Sequence, residues 1–257
     1  MGDSPGHSAV GGHHHAHPHP HPHPHPHHDG HDHNHVHPHE EHRHVEVNQS
    51  IFARNDRMAE QNRGFFKAKK LLVLNVLSSP GSGKTTLLER MGTDLAGRLR
   101  MGVIVGDLAT DNDARRLRTR GLPVIQIATG TLCHLDAAMV QQAMEKMPLD
   151  QMDLLVIENV GNLVCPASFD LGEKIRVVLL SSTEGEDKPL KYPPIFQSAH
   201  VVLVTKMDMA QAAGFDRETA LNNIRRVAPQ AAVMEISSKT GAGMDAWYSH
   251  LSSQRPA

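Results

Sequence analysis

Residues 71–86 constrain this chain more than any other stretch. Leu71-Leu-Val-Leu-Asn-Val-Leu77 reads as a buried strand and runs directly into Ser78-Ser-Pro-Gly-Ser-Gly-Lys-Thr-Thr86, after which an amphipathic helical pattern begins. Gly81 and Gly83 let the backbone curl so that successive N–H groups face inward toward a phosphate. The start of the following helix adds partial positive charge. Lys84 is placed to reach the terminal phosphates, and the Thr85 hydroxyl is placed to ligate Mg2+. Pro80, Gly81, Ser82, Gly83, Lys84, Thr85 and Thr86 are therefore the expected nucleotide contacts, with Lys84 also catalytic. The strict phosphate-loop pattern asks for glycine at position 78, where this chain has Ser78.

The rest of the body, Gln49–Ala257, alternates short apolar runs with amphipathic stretches. Strands are expected at Leu71–Leu77, Gly102–Val105, Val124–Ala128, Asp153–Ile157, Ile175–Ser181, Val201–Thr205 and Ala232–Ile236. Helices are expected at Ile51–Lys69, Thr85–Leu99, Asn112–Arg120, Leu132–Met147, Arg217–Val227 and Met244–Leu251. The run Pro189, Pro193, Pro194 beside Tyr192 reads as a loop. Buried strands alternating with helices imply an α/β fold, a P-loop NTPase with a mostly parallel sheet flanked by helices.

Two downstream segments speak to the base. The strand ending at Val204 delivers Thr205-Lys206-Met207-Asp208, close to the Asn-Lys-x-Asp of GTPases. A carboxylate at Asp208 accepts from the N1–H and 2-amino group of guanine and repels the N1 lone pair of adenine. The Lys206 stem packs on the ring face. Thr205 stands where asparagine is usual. Ser237-Ser238-Lys239 is similar to the loop that contacts guanine O6. Two acids fall at the carboxyl ends of expected strands, where parallel sheets bind ligands. Glu158 takes the place of the Walker B acid, and either Glu158 or Asp107 can hold Mg2+ through a water. Asp107 can instead orient the attacking water, so it is also a catalytic candidate.

Of the 21 histidines, 18 lie between His7 and His44. Residues 1–48 carry almost no core-forming side chains and read as a disordered, metal-binding tail, with residues 49–257 as the GTPase domain. Proline alternates with histidine from His17 to His27 and favours extended geometry. His13, His14, His15, His17, His19, His21, His23, His25, His27, His28, His31, His33, His35, His37 and His39 form a high-capacity ligand tract for Ni2+, Cu2+ and Zn2+. Pro, Asp, Asn and Glu interrupt the tract, unlike a purification tag.

Charge divides along the same line. The tail holds six acids against one base, whereas the body is near neutral within an overall net charge of −2. That balance, with a single Trp and two Tyr, argues against nucleic-acid binding. Apolar runs are too short to span a membrane, and no secretory signal is read at the N-terminus. Two cysteines build no disulfide framework, so a reducing, cytoplasmic setting is expected.

Those cysteines fall beside the nucleotide segments. Cys133-His134 is expected to open a helix, whose N-terminus would lower the thiol pKa. Cys165 lies seven residues after Glu158. Two thiolates and an imidazole suit Ni2+ or Zn2+. A lone cytosolic cysteine is more often a small buried hydrophobe. Neighbours on a helix project about 100° apart, so Cys133 and His134 converge on one ion only where that helix start is frayed. Three ligands also leave a shell open, which a site shared across a two-fold axis would close.

Ser78–Thr86, Gly130-Thr-Leu-Cys-His-Leu-Asp136, Glu158-Asn-Val-Gly-Asn-Leu-Val-Cys-Pro166 and Ser237-Ser-Lys-Thr-Gly241 together resemble the nickel-incorporation GTPases of hydrogenase maturation, the HypB family of the SIMIBI class. The resemblance implies a dimerising P-loop GTPase with slow intrinsic GTP hydrolysis to GDP. It implies metal ligands at Cys133, His134 and Cys165 near a homodimer interface. It implies delivery of Ni2+ into the large subunit of nickel–iron hydrogenase, together with the small zinc-containing partner HypA. The Cys-x-x-Cys-Gly-Cys nickel site of some members is missing, and the histidine-rich extension of others is present. The urease accessory GTPase is the nearest alternative, but its Cys-Pro-His motif is not found. A nickel reservoir without a working GTPase would not need Lys84, Thr85 and Asp208. A metal-independent signalling GTPase leaves the tail and both cysteines unexplained.

Overall fold

In the computed structural model, seven strands lie in one fully parallel sheet ordered β3-β2-β4-β1-β5-β6-β7. They are β1 (Leu72–Leu77), β2 (Met101–Asp107), β3 (Val124–Ala128), β4 (Leu154–Glu158), β5 (Ile175–Ser181), β6 (Val201–Thr205) and β7 (Ala232–Glu235). The structure describes residues 39–256 apart from Ala109, with the side chains of 39–49 excluded. Glu41–Ala257 forms one compact unit of the chain. The expected disordered histidine tail falls outside the described residues up to position 38, while residues 39–48 enter the first helix.

β1 is buried along its whole length and pairs with β4 on one side and β5 on the other. Its uninterrupted aliphatic run suits a strand covered on both faces. Leu72, Leu74 and Val76 join Val103, Val156, Val177 and Leu203 on one face, under α2 (Lys84–Asp94), α3 (Asn112–Arg118) and α8 (Met244–Ser253). On the other face, Val73, Ile104, Leu155 and Ile157 pack with Phe66 of α1 (His39–Ala68) and Val140 of α4 (Ala137–Met144). Farther along that face, Val178 and Val202 meet Phe196 of α6 (Pro193–Gln197) and Ile224 of α7 (Arg217–Val227). Each such fully buried aliphatic contributes on the order of 1.5–3 kcal/mol.

Several elements differ from the sequence expectation; α2, expected to run to Leu99, ends at Asp94, and β2 spans Met101–Asp107 rather than Gly102–Val105. Residues 188–197 form two short helices, α5 (Lys188–Lys191) and α6, rather than a loop. Their prolines sit in the first turn, where the missing N–H costs nothing. α4 begins at Ala137 rather than Leu132, because the Asp136 carboxylate accepts from Met139 N–H at 2.7 Å and caps the helix there. α1 begins at His39 rather than Ile51.

Candidate functional site

The β1 carboxyl end lies where the strand order reverses, the position at which parallel sheets open a crevice. There Gly83 takes a left-handed conformation (φ 98°), and α2 starts directly after it with no side-chain cap. The uncapped N–H groups of its first turn are thus available to an anion. The cleft above measures about 390 Å3, and Lys84, Thr85, Asp107, Asp113, Arg116 and Glu158 are among its lining residues.

Lys84 is buried, and that burial holds its pKa below the usual lysine range against the pull of Glu158 and other nearby carboxylates. Its Nζ donates to Ser78 Oγ at 3.1 Å. The serine that breaks the strict motif is therefore the hydrogen-bond partner of Lys84. Thr85 donates to Glu158 Oε1 at 2.8 Å. Glu158 is 2% exposed, and its second oxygen is buried with no hydrogen-bond partner. Burial pushes its carboxyl up to about 7, opposed by Lys84 and by the Thr85 bond. A buried acid with an idle oxygen, beside a threonine hydroxyl, fits a hydrated Mg2+. Asp107 turns its oxygens toward Leu108 N–H at 2.6 Å and Thr110 Oγ1 at 2.7 Å, at the mouth of the same cleft.

The two segments expected to read the base follow β6 and β7, and the first of them contacts the phosphate loop. Thr205 Oγ1 donates to the Ser82 carbonyl at 2.8 Å, so the residue standing for asparagine still props the loop. Lys206 adopts a left-handed conformation (φ 56°), and its Cε lies 3.9 Å from where a Cβ on Gly83 would sit. Asp208 is exposed and accepts from Ser237 Oγ at 2.6 Å, which ties the two expected base-reading segments together. Ser238 is half-buried and Lys239 exposed beside them. The sequence reading missed Glu184, whose carboxylate accepts from Ser82 Oγ at 2.6 Å and from Ser79 Oγ. Only its distance from the motif hid it, since the contact spans 102 residues.

Cys133, His134 and Cys165 converge, with their ligand atoms all within 4.8 Å of one another. Cys133 Sγ and His134 Nδ1 are 3.9 Å apart. The expected helix start is corrected here: both residues precede α4 in an irregular loop, which frees them from helical divergence. No helix terminus therefore stands at Cys133 to act on its thiol. The Cys165 thiol is pushed up, chiefly by its hydrogen bond to Cys133 and then by burial. Burial lowers the His134 pKa, which favours the neutral, ligating imidazole. The ring stacks on Phe169 with centroids 3.8 Å apart. Both sulfurs are half-buried and neither is sealed in the core. One segment joins the two sites: Glu158 lies in the cleft, Gly161 sits so close to the phosphate loop that a Cβ there would come within 3.1 Å of Pro80, and Cys165 ends the run.

Fold and cleft define a P-loop nucleotide-binding protein. Residues 72–235 match the CobW/HypB/UreG nucleotide-binding domain. The hydrogenase maturation factor HypB of Escherichia coli K12 is 51% identical over 213 residues, covering 83% of this chain and 73% of that protein. The crystal structure of HypB from Helicobacter pylori in complex with nickel is similar at TM-score 0.75 and 39% identity, covering 78% of this chain and 94% of that one. HypB from Archaeoglobus fulgidus gives 0.73 and 39%, over 78% of this chain and 98% of that one. The chain belongs to the CobW/HypB/UreG family, with HypB proteins among its strong relatives.

Proposed function

We propose that this protein hydrolyses GTP to GDP and uses the nucleotide state to control how firmly the Cys133–His134–Cys165 triad holds nickel for hydrogenase maturation. The observation that carries this reading is the shared segment: Glu158 at the end of β4 in the nucleotide cleft and Cys165 in the triad are joined by one short irregular connection. The phosphate-loop N–H groups and Lys84 bind the phosphates, and Thr85 and Glu158 hold Mg2+, which neutralises phosphate charge when bound. Asp107 orients the hydrolytic water. Asp208 selects guanine, with Lys206, Ser238 and Lys239 around the base.

Nickel is the cargo, and two sulfurs with an imidazole accept Zn2+ as well. Leu132 and Val164, each directly before a ligand cysteine, are 42% and 61% exposed. Apolar side chains beside an incomplete ligand set support a homodimer with a shared site. The cargo passes to HypA or the hydrogenase large subunit, and the histidine tail stores or feeds it. No described helix is long and apolar enough to cross a membrane.

GTP turnover by the full chain tests this reading, with ATP as competitor. Lys84→Ala is expected to lower turnover on the order of 100-fold or more while the tail still binds nickel. A wild-type chain that binds nickel but turns over no GTP would leave only a reservoir.

A further inference from the structure

Between the nucleotide cleft and the triad runs a string of buried polar side chains outside both ligand sets proposed above. Asn159, next to Glu158, is 1% exposed. Its Oδ1 accepts from Leu135 N–H at 3.2 Å and Val160 N–H at 2.9 Å, and its Nδ2 donates to Asn75 Oδ1 at 3.2 Å. Asn75, fully buried within β1, donates in turn to Glu173 Oε1 at 3.1 Å. That oxygen also accepts from Arg176 Nε at 2.9 Å, while Glu173 Oε2 accepts from Leu171 N–H at 2.8 Å. Arg176 directs its remaining nitrogens to the carbonyls of Ala167 at 3.1 Å and Phe169 at 3.0 Å.

Both ends of this string land on ligand segments. Leu135 follows His134. Ala167 lies in the same tight turn as Cys165, and the Phe169 ring is the one stacked on His134. A strand core of this kind is normally aliphatic, and polar groups are retained there only where every one is paired. Such a network permits few arrangements, because shifting one member leaves another buried group unpaired.

We propose that Asn159 is the positioning residue that links occupancy of the nucleotide cleft to the geometry of the triad, through Leu135 on one side and through Asn75, Glu173 and Arg176 on the other. When Glu158 adjusts to the nucleotide, its neighbour Asn159 moves with it. The side-chain amide then exchanges or strains its bonds to Leu135 and Asn75, so the His134 and Cys165 segments shift relative to each other. This rests on the proposed nucleotide-dependent grip on nickel and names the residues that transmit it.

The test uses the full chain, titrated with Ni2+ against a competing chelator. Sulfur-to-nickel charge-transfer absorption is followed, because the tail imidazoles do not contribute to it. Affinity is measured at saturating Mg2+–GDP and at saturating Mg2+ with a non-hydrolysable GTP analogue. The wild-type ratio of affinities is expected at about 5- to 150-fold. In Asn159→Ala the ratio falls to within about twofold of one. Arg176→Lys keeps a charge for Glu173 but misses the two carbonyls, so it lowers the ratio as well and decides alone where Asn159→Ala does not fold. A folded variant that saturates with nucleotide and keeps the wild-type ratio overturns the proposal while leaving the nickel reading intact. A wild-type ratio of one overturns both.

Discussion

Thr85 donates its hydroxyl proton to one oxygen of Glu158 at 2.8 Å, and the other oxygen of that carboxyl is buried without a partner. The pair ties the phosphate loop to the end of β4, and the second oxygen is the acceptor available to the proposed hydrated Mg2+.

The pH dependence of this carboxyl has a definite sign. Burial raises it from an ordinary 4.5 to about 7 in the fold. Between those values the folded protein keeps the proton and the unfolded chain loses it, so stability without nucleotide falls as pH rises across that window and levels off above it. Glu158→Gln removes the effect. Melting temperatures of the nucleotide-free protein are expected to show the variant gaining several degrees on wild type between pH 5 and 8, at about 2–4 °C per kcal/mol for a chain of this size. A gap that stays constant with pH contradicts the assignment.

Thr205 makes the second structural link to the phosphate loop. Thr205→Val keeps the shape but removes the donor to the Ser82 carbonyl. Leaving that carbonyl unpaired costs about 1–3 kcal/mol. Nucleotide affinity, measured by fluorescent GDP titration, is expected to weaken by roughly tenfold. Thr205→Asn, which retains a donor, is expected to bind close to wild type, and equal affinities for all three proteins would remove Thr205 from the site.

The parallel sheet and the phosphate loop were legible because buried strands advertise themselves as continuous aliphatic runs. Val124–Ala128, Ile175–Ser181 and Val201–Thr205 begin and end where the pattern places them. Helix starts were less legible: one Asp136 side-chain bond decides whether Cys133 and His134 are helical, and apolar spacing carries no trace of it. The prolines at 189, 193 and 194 read as breakers because their permissive first-turn positions depend on backbone geometry. The polar string was hidden for another reason. Asn75 looks like a flaw in an apolar run, and its partners Asn159 and Glu173 lie 84 and 98 residues away.

The triad makes its own prediction. Cys165→Ser replaces a soft sulfur with a hard oxygen at a site where three donor atoms lie within 4.8 Å. Sulfur-to-nickel absorption is expected to drop, and affinity at the triad to fall at least about 100-fold, beyond the 10–100-fold typical of losing only a supporting contact. His134→Ala should weaken binding while preserving the sulfur signal. Unchanged titrations in both variants would mean that nickel resides elsewhere.

The central claim, that guanine nucleotide governs the hold on nickel, is tested most directly by one comparison on the wild-type chain. Nickel affinity at the cysteine site is read by sulfur charge-transfer absorption with Mg2+–GDP and again with Mg2+ and a non-hydrolysable GTP analogue. The two affinities are expected to differ by about fivefold or more. Identical titrations in the two nucleotide states would contradict it.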